Sequence, residues 1–137
     1  MITLDTIRKP VTAELEAFDE FVERQFTAEG ELLSDMLRYA LSSRGKGIRP
    51  LLVLLSAAMN SPVAEAAKGR RVHLAAMLVE MIHVASLIHD DVIDEADMRR
   101  GKPSANARWQ SHKAVILGDY IPVSYTHLRA HETPEHL

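Results

Sequence analysis

A long apolar helical pattern in the middle of the chain constrains the fold more than any other feature. The pattern runs from about Ala64 to Ala96, and its central part, Val72–Ile88, is apolar on almost every side. A helix that is apolar all round is normally covered by other elements of the protein core. We therefore expect this segment to form the central helix of a helical bundle.

Apolar residues recur at helical spacing on both sides of this segment as well. The spacing predicts helices over residues 11–27, Glu31–Leu41 and Pro50–Met59 before the central helix. A further helix is predicted from about Ala105 to Leu117, with Ser104 as its cap. The sequence shows neither an internal repeat nor a β-hairpin signal, so the predicted fold class is an all-α helical bundle.

Composition excludes several classes of function. The net charge is −3 and cysteine is absent, which argues against nucleic-acid binding, disulfides and thiolate metal sites. Residues 1–10 lack the pattern of a secretion signal, and the longest uninterrupted apolar run, Leu51–Leu55, is too short to span a membrane. We expect a cytoplasmic protein with no nucleic-acid partner and no membrane span.

The most informative cluster is the acidic run that continues the central helix. Asp90 and Asp94 are four residues apart, which on a helix places both carboxylates on one face, about 6 Å apart at Cβ. A divalent cation would offset their repulsion, and Mg²⁺ suits such oxygen ligands, with Mn²⁺ as an alternative. A solvated acidic helix end is the simpler interpretation. The adjacent pair Arg99-Arg100, which can bind phosphate oxygens, favours the metal.

A glycine-rich loop before the third predicted helix is a candidate anion site. The segment Gly45-Lys46-Gly47-Ile48-Arg49-Pro50 combines flexible backbone, a helix N-terminus and two cations. It lacks the Walker pattern, because no strand precedes it and no Ser or Thr follows the lysine. His83 lies two helical turns before Asp90, and it fits a ligand-binding role about as well as that of a core histidine.

Three segments together resemble the trans-isoprenyl diphosphate synthases, or polyprenyl synthetases. These are GKGIRP at 45–50, HVASLIHDDVIDEADMRRGKPSANA at 83–107 and ILGDY at 116–120. The resemblance implies an isoprenoid synthase fold and a Mg²⁺-dependent condensation of isopentenyl diphosphate with an allylic diphosphate. It also implies a homodimer for the full-length enzyme.

The resemblance further implies a role for individual residues. Asp90 and Asp94, with Asp91 beside them, correspond to the metal ligands of the first aspartate-rich motif, and Arg99 to the allylic diphosphate contact. The residues that correspond to isopentenyl diphosphate contacts are Lys46, Arg49, His83 and Arg100. The residues that correspond to the floor and wall of the product pocket are Ala85, Ser86, Ile82 and Val79. Because Ala85 and Ser86 are small, we expect products longer than fifteen carbons.

The sequence also departs from the family pattern. Residues 1–121 are interpreted as the N-terminal part of a polyprenyl synthetase domain. Residues 122–137 resemble translated sequencing-adapter sequence and are interpreted as a non-native tail. The second aspartate-rich motif of the family would follow Ile121 and is not found, so we expect no appreciable turnover by this chain alone.

Three other interpretations remain open at this point. The Glu80…His83 pair is an E-x-x-H, as in di-metal carboxylate bundles, although that class needs two such pairs and two more glutamates. A non-catalytic subunit of a heteromeric prenyl synthase would be expected to lose the aspartates that this chain retains. A generic helical domain leaves the joint presence of glycine loop, aspartates and arginines unexplained.

Overall fold

The computed structural model describes residues 1–26, 30–42, 45–60 and 69–130. The chain divides into two compact units, one comprising Met1–Ala28 with Lys46–Glu80 and the other Glu29–Gly45 with Met81–Leu137. The elements are α1 (Leu4–Arg8), a 3₁₀ turn (Lys9–Val11), α2 (Thr12–Phe26), α3 (Glu31–Ser42), α4 (Ile48–Asn60), α5 (Arg70–Ile93), β1 (Met98–Arg99), β2 (Lys102–Pro103), α6 (Ala105–Trp109) and α7 (Ser111–Ala130). The described residues are thus mostly helical, which confirms the predicted all-α class.

The first unit packs the N-terminal helices against α4. The 3₁₀ turn and α2 both contact α4, because their apolar residues recur at helical spacing and lie on one side. Phe18 of α2 and Leu54 of α4 are almost completely buried, at 1% and 0% exposure. His73 of α5 lies against two phenylalanine rings, with centroid distances of 6.2 Å to Phe18 and 5.6 Å to Phe21.

The second unit combines α3, the C-terminal part of α5, the hairpin and the last two helices. α6 and α7 pack on each other, and both contact α3. Its buried apolar residues are Met36, Leu37, Ala40, Met81, Val84, Ala85, Ile88, Ala105, Ala114, Leu117 and Ile121. This core fixes the end of α5, where the predicted site begins.

The predicted central helix is α5, and it is the longest helix of the described residues. It ends at Ile93 rather than Ala96, while its predicted start at Ala64 lies outside the described residues. By length and composition alone α5 could cross a membrane, with a mean hydropathy of 1.6 over eighteen residues. Because 44% of that window is buried inside the protein, the pattern also fits a core helix and is weak support for a membrane span.

Three sequence predictions are wrong in detail. Residues 98–103 form a short antiparallel hairpin where no hairpin was expected. The helix predicted over Ala105–Leu117 is divided at Gln110, whose φ of 73° and ψ of 151° are incompatible with a helix. The second part, α7, continues through Pro122 to Ala130, although proline removes one helical hydrogen bond.

Candidate active site

The end of α5 holds two of the predicted metal ligands on one face. The N–H of Asp94 donates to the carbonyl of Asp90 at 2.8 Å, so the helical geometry extends to Asp94 and keeps the two residues one turn apart. The N–H groups of Glu95 and Ala96 then donate to the carbonyls of Val92 and Asp91, at 3.3 and 2.9 Å. This is a Schellman cap, with Glu95 in the left-handed conformation at φ 51°.

Asp91 lies on the other side of the helix and has a different environment. The residue is 4% exposed, and both of its carboxylate oxygens accept hydrogen bonds from Arg99. The distances are 2.7 Å from Nε to Oδ2 and 2.6 Å from Nη2 to Oδ1. These hydrogen bonds raise the pKa of Arg99, and the charges of the neighbouring aspartates act in the same direction. Asp91 therefore binds the arginine in this structure, whereas Asp90 and Asp94 are exposed.

The hairpin that carries the arginine pair has a tight two-residue turn. Arg99 pairs with Lys102, and Arg100 and Gly101 form the turn with φ values of 50° and 78°. Two positive φ values in succession define a type I′ turn, which glycine adopts freely and arginine only at a cost of about 1 kcal/mol. The turn places Arg99 against Asp91 and leaves Arg100 exposed.

The guanidinium of Arg100 packs directly on the backbone of Gly45. A methyl group built at Gly45 would lie 2.8 Å from Nη2 of Arg100 and would overlap the rest of the guanidinium. Gly45 also has a φ of 76°, so both its conformation and its missing side chain are needed here. One glycine of the predicted loop therefore contacts one of the predicted site arginines.

The remaining cations of the predicted anion site lie at the start of α4. Gly47, with φ 59°, precedes the helix, and its carbonyl accepts from the N–H of Leu51 at 3.2 Å. Arg8 donates to the carbonyl of Lys46. Lys46 and Arg49 are exposed and belong to the first unit, whereas the aspartates and the arginine pair belong to the second.

The predicted product-pocket residues occupy two faces of α5. Ile82, at 53% exposure, and Ser86 are both exposed. Ile82, Ser86 and Asp90 are four residues apart in turn, so they lie along one face of the helix. Ala85 is only 4% exposed and faces the core of its unit. His83 is half-buried, and its carbonyl accepts a hydrogen bond from the hydroxyl of Ser86 at 2.7 Å.

Sequence reasoning missed a contact between His89 and α7. The imidazole Nε2 lies 3.4 Å from Oδ1 of Asp119 and 3.4 Å from the carbonyl of Val115. The ring occupies the space that a side chain at Gly118 would fill, since a Cβ there would lie 2.6 Å from Cδ2. The available signal in the sequence is Gly118 of the segment ILGDY, because a glycine within a helical stretch can mark the close approach of another group. The contact anchors the residue that precedes Asp90.

The donor set at the end of α5 fits a magnesium or manganese ion that keeps most of its water. Within the part of the chain that the structure describes, no three His, Asp or Glu side chains converge as a protein cage for a metal. Mg²⁺ commonly takes only one or two carboxylates and completes its shell with water and phosphate oxygens. The exposed carboxylates of Asp90 and Asp94 meet that requirement.

Comparison with known proteins gives consistent results. The nonaprenyl diphosphate synthase of Mycobacterium tuberculosis is 39% identical over 91% of this chain and 36% of its own length. Component 2 of the heptaprenyl diphosphate synthase of Geobacillus stearothermophilus is 43% identical over 79% of this chain and 32% of its own length. The chain thus spans about a third of the length of these relatives.

A solved structure and the family match point to the same family as these relatives. The heptaprenyl diphosphate synthase of Staphylococcus aureus superposes with a TM-score of 0.76 at 27% identity, over 90% of this chain and 38% of that chain. The sequence model of the family named polyprenyl synthetase matches residues 30–136. That range includes most of the segment interpreted as a non-native tail, and the boundary after Ile121 stays a prediction. A match over most of the sequence shows that the chain belongs to the polyprenyl synthetase family.

Proposed function

We propose that the chain provides the first metal- and diphosphate-binding half-site of a prenyltransferase that makes a polyprenyl diphosphate. The exposed pair of Asp90 and Asp94 beside the Arg99-Arg100 hairpin is the observation that carries this proposal. The names of the relatives, which denote nonaprenyl and heptaprenyl diphosphate synthases, support it. The substrates would be isopentenyl diphosphate and an allylic diphosphate.

Asp90 and Asp94 would hold magnesium, or manganese, against the allylic diphosphate. When bound, the metal neutralises charge on the diphosphate as its bond to carbon breaks. Arg99 remains protonated because Asp91 holds two of its donors, and its remaining N–H groups are free to contact phosphate oxygens. An arginine already fixed by one carboxylate loses less conformational entropy when it binds a second anion.

Arg100, Lys46 and Arg49 are proposed contacts for the second diphosphate, and His83 a further one. The first three are exposed cations, and the backbone at Gly45 and Gly47 allows close approach to an anion. Cations at these positions would neutralise charge and orient the isopentenyl group.

The reaction needs no protein nucleophile. Cleavage of the allylic carbon–oxygen bond leaves pyrophosphate and an allylic cation, and the double bond of isopentenyl diphosphate attacks that cation. The proton lost in the last step passes to the departing pyrophosphate. The protein contributes position and a fixed electrostatic environment.

The exposed face of α5 below Asp90 is proposed as part of the product pocket. Ser86 and Ile82 lie on this face one and two turns before Asp90, and the serine is too small to close a channel at its level. The relatives named for seven and nine prenyl units agree with the prediction of products longer than fifteen carbons. In a full-length version, we predict that Ala85→Phe shortens the products, and that Ser86→Phe, on the exposed face of α5, shortens them as well.

A second candidate is the metal-bearing subunit of a two-component synthase. The 43% identity to a heptaprenyl diphosphate synthase component 2 favours it. A homodimer and a heteromer differ in whether a full-length version forms prenyl chains alone. Either enzyme is proposed to be cytoplasmic.

Isothermal titration calorimetry of the chain with inorganic pyrophosphate, with and without Mg²⁺, tests the proposal. We expect Mg²⁺-dependent binding that is lost when Asp90 and Asp94 are both changed to asparagine. The matched control combines Glu31→Gln with Asp35→Asn, because it also removes two negative charges, here from the exposed surface of α3. Binding that is independent of Mg²⁺, or that survives the double change, would refute the proposed function.

A further inference from the structure

Tyr39 connects α3 to the hairpin that carries the arginine pair. Its hydroxyl donates to the carbonyl of Pro103, the last residue of β2, at 2.5 Å. Pro103 pairs with Met98 across the hairpin, so this bond fixes the strand opposite the one that carries Arg99. The contact joins residues 64 positions apart in the chain.

The ring of Tyr39 is itself held by α6. The guanidinium carbon of Arg108 lies 4.4 Å from the centre of the Tyr39 ring and 4.6 Å from that of Trp109. The two aromatic rings meet edge to face, with centroids 5.0 Å apart and an interplanar angle of 82°. Such contacts add stabilisation beyond simple burial, so the hydroxyl is presented from a fixed position.

Other contacts fix the remaining sides of the hairpin. Asp91 holds Arg99, as described above, and the hydroxyl of Ser104 donates to the carbonyl of Ala96 at 2.6 Å. A recess of about 30 Å³ lies beside these groups, lined in part by Tyr39, Asp91 and Arg99. Tyr39 thus supplies a connection from a separate helix to a two-residue strand that has little stability of its own.

We propose that Tyr39 is a positioning residue for the arginine pair. By fixing β2 it holds the turn in the conformation that keeps Arg99 against Asp91 and Arg100 against Gly45. The inference rests on the proposed function, since its consequence is tighter binding of a diphosphate by two pre-oriented guanidinium groups. No contact of Tyr39 itself with the diphosphate is required.

The test uses the whole chain with Tyr39→Phe, which removes the hydroxyl and keeps the ring, and Tyr39→Leu, which removes both. Ser42→Ala is the matched control, because it deletes a hydroxyl of α3 that bonds within that helix, to the carbonyl of Tyr39 at 2.8 Å. Amide hydrogen exchange over residues 98–102 reports the hairpin, and exchange in α7 reports global stability. Calorimetry with Mg²⁺ and inorganic pyrophosphate reports binding.

We expect Tyr39→Phe to speed exchange in the hairpin but not in α7, and to weaken pyrophosphate binding about five- to tenfold. Tyr39→Leu should weaken binding further, and Ser42→Ala should change neither quantity. Unchanged hairpin exchange, or a looser hairpin with unchanged affinity, would overturn the inference. If the parent chain does not bind magnesium pyrophosphate, the proposed function fails, and the exchange data still decide whether Tyr39 fixes the hairpin.

Discussion

Changing Asp91 to asparagine should destabilise the fold, whereas the same change at Asp90 should not. The Asp91 side chain is 5% exposed, and it accepts two short hydrogen bonds from an arginine that is 31% exposed. Asparagine has the same shape but presents an N–H₂ group to one of the guanidinium donors. The arginine would then lose its counter-charge and face a second donor.

The magnitude follows from the exposure of the two partners. Removing one partner of a fully buried pair costs about 3–5 kcal/mol, and a solvent-exposed pair contributes about 1 kcal/mol or less. Since Arg99 retains partial access to water, we expect Asp91→Asn to lower the free energy of unfolding by about 2–3 kcal/mol. Asp90→Asn removes a like-charge repulsion with Asp94 and should change stability by less than about 0.5 kcal/mol.

Urea denaturation followed by far-ultraviolet circular dichroism measures both changes. The two variants have the same net charge, so general electrostatic effects cancel in the comparison. Equal loss of stability in the two variants, or no loss for Asp91→Asn, would refute the assignment of Asp91 to Arg99. Loss of magnesium pyrophosphate binding in stable Asp90→Asn protein would show that the neighbouring aspartates act differently.

Three further perturbations test other parts of the structure. Ser104→Ala should lower the free energy of unfolding by about 1–2 kcal/mol, because the buried hydroxyl caps α6 and donates to Ala96; unchanged urea denaturation would contradict this. Burial lowers the pKa of His73, so the unfolded state takes up its proton first. The free energy of unfolding should therefore fall as pH drops below about 6.5, by at most about 1.4 kcal/mol per pH unit. In denaturation measured at several pH values, His73→Phe should make this dependence on pH weaker. An unchanged pH dependence would exclude His73 as its cause. Gly118→Ala would normally stabilise a helix by about 1 kcal/mol, but here it should destabilise, because the imidazole of His89 fills the site. The same change should stabilise a His89→Ala protein, and equal effects in both backgrounds would show that the ring does not occupy that space.

Local periodicity was enough to predict most helices. Apolar residues at helical spacing predicted helices over residues 11–27 and Glu31–Leu41. In the structure, residues of this pattern supply the buried sides of α2 and α3. The glycine loop before α4 is also predictable from local residue types, and Gly47 directly precedes that helix. Element ends were less accurate, because capping depends on single hydrogen bonds such as those around Glu95.

The hairpin and the division at Gln110 could not be read from periodicity. Two-residue strands are too short to show alternation, and the type I′ turn begins with Arg100 rather than the usual asparagine or aspartate. Gly101 is the available signal, because a turn of this type favours glycine at its second central position. At Gln110 nothing in the residue type predicts a positive φ.

The sequence was enough to predict which residues belong to the candidate site, but not which of them contact one another. The sequence placed Asp90 and Asp94 on one face, and the structure keeps them there and exposed. It did not show that Asp91 faces Arg99, because that pair forms across a cap and a turn whose path is set by tertiary contacts. The contacts of Tyr39 with Pro103 and of His89 with Asp119 were missed for the same reason, since these partners are far apart in the chain.

Electron paramagnetic resonance of Mn²⁺ bound to the chain in the presence of inorganic pyrophosphate tests the central claim most directly. Mn²⁺ accepts the same oxygen ligands as Mg²⁺ and is visible by this method. We predict that pyrophosphate promotes Mn²⁺ binding, that the bound ion shows coupling to phosphorus nuclei, and that changing Asp90 and Asp94 to asparagine abolishes the signal. A phosphorus-coupled Mn²⁺ signal of undiminished intensity in that double variant would contradict the account.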